Sequence, residues 1–432
     1  MLLYFYAMQK TIEDLYDIFL KSAGVETDTR KIKSGSMFFC LKGENFNANE
    51  FAAEALEKGA VAVVADELHF EDERIIQVDS VLEVMQKLAN FHRRHFDIPV
   101  IGITGTNGKT TTKELIYTAL SAKFRVHATA GNFNNHIGVP LTLLSMPGDT
   151  EIAVVEMGAN HKHEIGELCR IAEPDYGIIT NIGKAHLEGF GSIQGVIETK
   201  KELYDFVAER EGHLFVDASN DLLMDLSAGI KRSTYGAVEK ADFQGRIVAS
   251  EPFISLEFQG EILNTKLLGN YNFTNIMAAI AIGSYFDVDK KSMLKALSNY
   301  SPSNKRSQFL DTGRNKIYLD AYNANPTSMR NALESFRDIN IPGKVAVLGD
   351  MLELGKESPK EHLEIIRLLK ELDIEDVILV GAEFSKVNNG EFNAFVDTDE
   401  ASRFLKEKAK KGKFILLKGS RGIGLEKLLP YL

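Results

Sequence analysis

The sequence predicts an α/β protein of several domains built on mostly parallel sheets, and three observations carry that prediction. Short apolar runs of strand length alternate with helix-patterned segments along nearly the whole chain. A glycine-rich turn stands directly between one such run, Val100 to Thr104, and a helical pattern. Polar or proline-bearing breaks at residues 97–99 and 301–304 divide the alternation into blocks. The 432 residues exceed the ~100–200 typical of one domain, so two to four cores are expected. With 44% hydrophobic and 26% charged residues, a mostly disordered or collagen-like chain is excluded.

Met1 to Met8 is apolar and aromatic, but no basic residue precedes it, and Gln9, Lys10 and Glu13 follow at once. A secretory signal is therefore not expected, and Met8 is a second candidate start. From Thr11 to Phe96 the pattern is a small α/β unit, as where the helical Ala52 to Lys58 leads into the strand-like Ala60 to Ala65. Asp97-Ile98-Pro99 ends the helical pattern of residues 81–96, because proline disfavours helix in the residue before it. The first domain is thus assigned to residues 1–97. In the second, 98–300, the strands Val100 to Thr104, Ile152 to Glu156 and Tyr176 to Thr180 alternate with helices. Ile254 to Phe258 and Glu261 to Leu267 alternate in polarity around Gln259-Gly260, which predicts a β-hairpin, and an apolar helix begins near Asn275. Ser301-Pro302-Ser303-Asn304 is a linker into a third domain, 301–432. There Val345 to Leu348, Val377 to Val380 and Phe414 to Leu417, separated by helical segments such as Lys360 to Leu372, suggest a second doubly wound sheet.

Fifty Lys and Arg against 61 Asp and Glu give a net charge of -11, and no basic tract is available to neutralise a nucleic-acid backbone. No stretch approaches the ~20 apolar residues that span a bilayer. The two cysteines, Cys40 and Cys169, form no CxxC pair, so neither a disulfide framework nor a cysteine zinc site is expected. The expectation is a cytoplasmic enzyme with no nucleic-acid or membrane partner.

The strongest local signal is Gly105-Thr106-Asn107-Gly108-Lys109-Thr110-Thr111 between strand and helix. Glycines let backbone N–H groups approach phosphate oxygens, the helix N-terminus favours negative charge, Lys109 can neutralise β- and γ-phosphates, and Thr110 can bind magnesium. The strict G-x-x-x-x-G-K form is not met, because Ile103 stands where its first glycine belongs. Glu156 closes the strand Ile152 to Val155, at the carboxyl edge where open α/β sheets bind ligands, and offers an oxygen to a hard metal ion. His186 follows another strand end; taken alone, a histidine there is more often a hydrogen-bonded structural residue. His161 and His163 are one residue apart at a helix opening and would not share a face, leaving them solvated or lining substrate. Lys200 and Lys201 lie in the helical stretch Gln194 to Val207, where a lysine is normally a surface residue. Asp320 to Pro326 follows the strand-like Lys316 to Leu319, and local chemistry does not choose between an Asx-type turn and a site.

Together the motifs Gly105 to Thr111, Gly131-Asn132-Phe133-Asn134-Asn135, Glu156 to Asn160, Asn181 to Glu188, Asp320 to Pro326 and Leu348-Gly349-Asp350-Met351 resemble the Mur ligases. The resemblance runs from Asp28-Thr29-Arg30 to Lys418-Gly419-Ser420-Arg421-Gly422. It implies three domains: an N-terminal domain for a UDP-linked substrate, a central P-loop-type ATPase sheet, and a C-terminal Rossmann-like domain receiving the incoming group. The DAYNANP, GNFNN and LGDM segments imply the member that joins D-alanyl-D-alanine to a UDP-N-acetylmuramoyl tripeptide through an acyl phosphate, acting as a monomer. The alternatives are another amide ligase of the family or of the folylpolyglutamate type, and a nucleotide-binding relative without catalysis.

The same resemblance implies roles. Lys109 holds phosphates; Thr110, Glu156, His186 and a Lys200 carbamate serve two magnesium ions, with Lys109, Lys200 and His186 catalytic. Gly105 to Thr111, Asn272, Asn275, Arg306 and Asp320 bind ATP, Tyr271 standing where many relatives have histidine. Asp28, Thr29 and Arg30 meet the uridine diphosphate, near an Asn47-Ala48-Asn49 that replaces a commoner Asp-Gly-His. Asn134, Asn135, Asn323, Asn325, Ser420 and Arg421 are assigned to the remaining substrate.

Overall fold

The computed structural model describes residues 10–184 and 187–432, so the Met1–Met8 segment and His186 lie outside the described residues. Before residue 98 come α1 (Ile12–Lys21), β1 (Val25–Glu26), β2 (Met37–Phe39), β3 (Lys42–Gly43), β4 (Phe46–Asn47), α2 (Ala52–Glu57), β5 (Ala62–Ala65), β6 (Ile75–Gln77) and α3 (Val81–Arg94). There follow β7 (Val100–Thr104), α4 (Lys109–Leu120), β8 (Val126–Ala128), α5 (Gly138–Leu144), β9 (Ile152–Glu156), α6 (Glu164–Ala172), β10 (Tyr176–Ile179), α7 (Leu187–Phe190) and α8 (Ile193–Glu209). Next are β11 (His213–Asp217), α9 (Asp221–Leu226), β12 (Arg232–Gly236), β13 (Phe243–Ala249), β14 (Phe253–Phe258), β15 (Glu261–Leu268), α10 (Asn272–Tyr285) and α11 (Lys290–Asn299). The last part holds β16 (Gln308–Asp311), β17 (Lys316–Asp320), α12 (Pro326–Asp338), β18 (Lys344–Gly349), α13 (Ser358–Glu371), β19 (Val377–Val380), α14 (Ala382–Val387), β20 (Asn393–Phe395), α15 (Thr398–Glu407) and β21 (Phe414–Lys418).

The chain forms two compact units. The first comprises the chain up to Gly102, Arg125–Gly158 and Glu164–Asp175; the second comprises Ile103–Phe124, Ala159–His163 and Tyr176–Leu432. In the first, a parallel sheet of order β1-β2-β5-β6 buries Phe38, Val63 and Ala65 with Ala52, Ala55 and Leu56 of α2. The first unit also holds β8 and β9, paired in parallel. The second unit holds the neighbouring strands β15-β14-β13-β12-β11-β10. Strands β7 and β9 are buried at every position, which is why they read as apolar runs; β11 is equally buried, but its His213 and Asp217 hide it from such a pattern. By contrast, β14 and β15 alternate between buried and more exposed positions and pair antiparallel, as the polarity pattern predicts. Their turn places Gln259 at φ +48° and Gly260 at φ +79°, the left-handed pair that suits a tight hairpin.

The C-terminal part has the sheet order β16-β17-β21-β18-β19-β20, parallel except for β16. Residue parity splits its core in two. Tyr318, Ala346, Leu348, Leu379, Phe414 and Leu416 pack with α12 and α13 on one face. Ile317, Leu319, Val345, Val347, Ile415 and Leu417 pack with α15 on the other, the mark of a doubly wound sheet. Helix α10 begins at Asn272, one turn before the expected Asn275, because the polar residues of its first turn are held by buried partners.

In the first unit the buried Arg93 guanidinium staples α3 to the end of α6. It donates to the carbonyls of Ala172 (3.1 Å), Phe96 (3.0 Å) and Glu173 (3.2 Å), and to Asp175 Oδ2 (3.1 Å). Arg93→Met should therefore destabilise the protein by roughly 2–4 kcal/mol, since buried acceptors lose a charged donor. Urea unfolding checks this. Arg93→Lys should recover only part of the loss, because an ammonium cannot reproduce the planar fork.

Candidate active site

The phosphate-loop candidate joins β7 to α4. At Gly105, φ is +147° and a Cβ would lie 1.9 Å from Thr180 Oγ1; at Gly108, φ is +81° and a Cβ would lie 2.8 Å from Asn275 Oδ1. Backbone conformation and close approach both demand glycine at these two points. The turn is fastened from the segment after β10. Thr106 N–H donates to the Asn181 carbonyl (2.9 Å) and Asn107 N–H to Asn181 Oδ1 (3.0 Å). In return the Asn107 carbonyl accepts from Thr180 Oγ1 (2.6 Å) and Asn181 Nδ2 (2.9 Å). Lys109 Nζ curls back onto the carbonyls of Gly105 (2.7 Å) and Thr106 (3.3 Å). Thr110 and Thr111 are buried in the first turn of α4. Backbone amides that no side chain can obstruct, a lysine over them and a helix N-terminus behind them suit a polyphosphate.

Lys200 is buried, contrary to the surface position expected of a helical lysine. Val196, Thr199, Lys200, Leu203 and Val207 form the buried face of α8, at the spacing of one helical stripe. Lys201, one residue on, is partly exposed and pairs with Asp205. The Lys200 ammonium lies 5.9 Å from the Phe190 ring centroid. Burial first, and the like charge of Lys109 second, push its pKa well below the usual lysine range, favouring the uncharged, nucleophilic amine. On the outer side of α8, Glu198 pairs with Lys162 (3.5 Å) and Glu202 with His163 (3.2 Å). His161 and His163 are exposed.

From α4 a buried polar chain leads into the C-terminal part. Thr112 Oγ1 donates to Asn275 Oδ1 (3.0 Å), Asn275 Nδ2 to Asn272 Oδ1 (2.8 Å), and Asn272 Nδ2 to the Leu268 carbonyl (2.7 Å) and Ser307 Oγ (3.2 Å). Ser307 N–H reaches Asp320 Oδ1 (3.3 Å), and Asp320 Oδ2 accepts from the buried Lys418 ammonium (2.6 Å). Tyr271 bonds Ser307 Oγ (2.9 Å) and the Tyr318 hydroxyl. Burial holds its phenol above the usual range.

Arg306 stacks 3.8 Å from the Tyr322 ring centroid, and the Arg421 guanidinium lies 5.6 Å from the same ring. Asn323 is exposed, its Oδ1 accepting the Ala324 N–H (2.9 Å). Ser420 Oγ accepts the Leu352 N–H (2.9 Å). Asn325 caps α12, with Pro326 in its first turn.

In the first unit, Glu156 is 1% exposed at the end of β9. Its Oε1 accepts from Asn134 Nδ2 (2.8 Å) and its N–H donates to Thr129 Oγ1 (2.9 Å). Asn135 Oδ1 accepts the Gly138 N–H (2.9 Å) at the start of α5. GNFNN is thus tied directly to the strand-end carboxylate. Asp28 and Arg30 form an exposed fork, Arg30 Nε and Nη2 each 2.8 Å from a carboxylate oxygen; those bonds lower the Asp28 pKa to about 2. Thr29 offers its carbonyl to Lys58 (3.1 Å).

Several participants were not singled out from sequence, among them Thr112, Glu114, Thr129, Thr180, Ser307, Tyr318, Tyr322 and Lys418. Lys418 carried a signal, being the lone charge that closes the apolar run Phe414 to Leu417. Glu114, which accepts from Asn304 Nδ2 (2.8 Å) and the Tyr300 hydroxyl, looks like any charge on a helix.

Three family models match the chain in order: Mur ligase family, catalytic domain, at residues 21–93; Mur ligase middle domain at 103–283; and Mur ligase, glutamate ligase domain, at 305–421. The UDP-N-acetylmuramoyl-tripeptide--D-alanyl-D-alanine ligase of Bacillus subtilis is 38% identical, over 94% of this chain and 92% of its own. The crystal structure of MurF from Acinetobacter baumannii superposes with a TM-score of 0.87 at 28% identity, over 97% of this chain and 98% of that one. MurF from Thermotoga maritima, in complex with ADP, gives 0.84 at 29% identity, over 96% and 97%. With family models in sequence order and likeness over nearly the whole length of each relative, the chain belongs to the Mur ligase family.

Proposed function

We propose that the chain is an ATP-dependent ligase that joins D-alanyl-D-alanine to the terminal carboxylate of a UDP-N-acetylmuramoyl tripeptide in the cytoplasmic synthesis of peptidoglycan precursor. The observation that carries this is the prebuilt phosphate loop in a chain 38% identical, over 94% of its length, to a ligase of that name. Among the described residues no helix is long and apolar enough to cross a membrane.

The tripeptide carboxylate attacks the γ-phosphorus of ATP, forming a C–O–P linkage as the bond to ADP breaks. The D-alanyl-D-alanine amine then attacks the carbonyl carbon of that acyl phosphate. The tetrahedral intermediate collapses with loss of inorganic phosphate and of the amine proton, leaving an amide. The loop N–H groups of Gly105 to Thr111 and the Lys109 ammonium take the charge that develops on the phosphoryl oxygens. The chain Asn275–Asn272–Ser307–Asp320 and the Arg306–Tyr322 stack hold the nucleotide side. Asp28, Thr29 and Arg30 serve the uridine diphosphate. Asn134, Asn135, Asn323, Ser420 and Arg421 serve the peptide groups.

Thr110, Glu156, His186 and a Lys200 carbamate are the proposed oxygen and nitrogen donors for two magnesium ions. A carbamate on Lys200 would add a carboxylate-like donor to the Thr110 and Glu156 oxygens, which an unmodified amine does not supply. Bound magnesium would neutralise phosphate charge. The depressed pKa of Lys200 supports the modification, because only the free amine adds to carbon dioxide, releasing a proton.

Turnover should release ADP and phosphate, and oxygen-18 placed in the tripeptide carboxylate should appear in the phosphate. Label in AMP would overturn the acyl-phosphate route. Lys109→Ala should lower kcat by roughly 100- to 1,000-fold, the scale of losing one preorganised charge stabiliser.

For Lys200 the sign is set by its lowered pKa: the unfolded chain stays protonated up to about 10.4 while the folded one does not. In CO2-free buffer its contribution to stability therefore falls as pH drops through that window. Lys200→Met should be more stable than wild type at neutral pH yet lose turnover by at least about 100-fold. Bicarbonate should raise the Tm of wild type and leave that of Lys200→Met unchanged. A carbon-13 carbamate signal from active wild-type enzyme, absent in the variant, completes the test; active enzyme without it refutes the modification.

A further inference from the structure

The Asn325 carboxamide does two things at once. Its Oδ1 accepts the Ser328 N–H at 2.8 Å and so caps α12; its Nδ2 donates to Asn107 Oδ1, in the phosphate loop, also at 2.8 Å. Asn107 Nδ2 returns a longer contact to Asn325 Oδ1 at 3.4 Å. Asn325 is 6% exposed, and its backbone N–H is taken by Ser328 Oγ (3.1 Å), so the side chain has little freedom to turn away. Next in the same helix, Thr327 Oγ1 sits 3.0 Å from where a Cβ of Gly183 would stand, and the Gly183 N–H donates to Thr106 Oγ1 at 2.9 Å. The first turn of α12 thus meets the phosphate loop through Asn107 and its supporting segment through Gly183.

We infer that Asn325 is a positioning residue for ATP: it acts through Asn107, fixing the crown of the phosphate loop from the C-terminal part of the chain. This assigns Asn325 to the nucleotide side of the reaction instead of the peptide side, and it rests on the ligase function proposed above. The physical ground is the geometry of Asn107. Its backbone is held on both sides by Thr180 and Asn181, while its side chain is anchored by Asn325. A loop residue fixed at backbone and side chain keeps its neighbouring N–H groups aimed before a phosphate arrives, which is how preorganised donors gain their effect.

The cap and the anchor can be separated, because serine caps a helix as well as asparagine but is too short to reach Asn107. Asn325→Ser should therefore keep the Tm of wild type while raising KM for ATP, or Kd for a nonhydrolysable ATP analogue, roughly three- to tenfold, the worth of one hydrogen bond. KM for the UDP-linked peptide should not move. In an Asn107→Ala background the same substitution should have no further effect on ATP, since the residue through which it acts is gone; Asn107→Ala leaves the cap untouched and guards against a folding artefact. Independent, additive losses, or an Asn325→Ser enzyme with unaltered nucleotide affinity, would overturn the inference. An enzyme that binds the ATP analogue with the predicted coupling but forms no amide would leave this inference standing and sink the proposed reaction instead.

Discussion

A phosphate loop works only if its amides already converge before charge arrives, and here that convergence depends on the hydrogen bonds that Thr180 and Asn181 make with Asn107. These contacts cross from the end of β10 to the turn after β7. They can form only because the residue at 105 has no side chain, a Cβ there standing 1.9 Å from Thr180 Oγ1. Several other side chains of the second unit converge on that turn. Asn275 presses on Gly108 from below, Lys109 folds over the loop carbonyls, and the buried polar chain carries the same rigidity to Ser307, Asp320 and Lys418.

Burying so many polar groups would be costly if any were left without a partner, since an unmet donor or acceptor loses its water and gains nothing. The chain from Thr112 to Lys418 avoids this by passing each carboxamide or hydroxyl to the next. Such a network rewards one arrangement of the middle and C-terminal family segments over the alternatives, because shifting one member orphans its neighbours. The linker between those segments is fastened too: Tyr300 and Asn304 both bond Glu114, on the helix that begins at the phosphate loop.

Lys200 sets the opposite condition. A lone ammonium in an apolar helix face is unfavourable, and burial accordingly pushes the Lys200 pKa well below the usual lysine range. Stability would be served better by methionine or leucine at this position. Under the proposed carbamate, desolvation would produce the nucleophilic form, so that a liability of folding would become the source of the proposed chemistry.

The amino-acid sequence by itself determined the α/β class, the most apolar strands of the central and C-terminal sheets, the hairpin at Gln259-Gly260 and the phosphate loop, but not the more polar strands β8, β11, β12, β13, β16 and β20. Each is a local pattern: buried parallel strands are unbroken apolar runs, tight turns need glycine, and an anion-binding turn must lie between strand and helix. The burial of Lys200 was not visible locally, because a lysine snorkels from most helices and only the packing of α8 shows which face is closed. Nor were the pairings of Asn134 with Glu156, Asp320 with Lys418, or Asn107 with Asn325, which join residues 22, 98 and 218 positions apart. Hydrogen bonds of such short range carry no signature along a chain; they exist only once strand order and helix packing have brought the partners within about 3 Å.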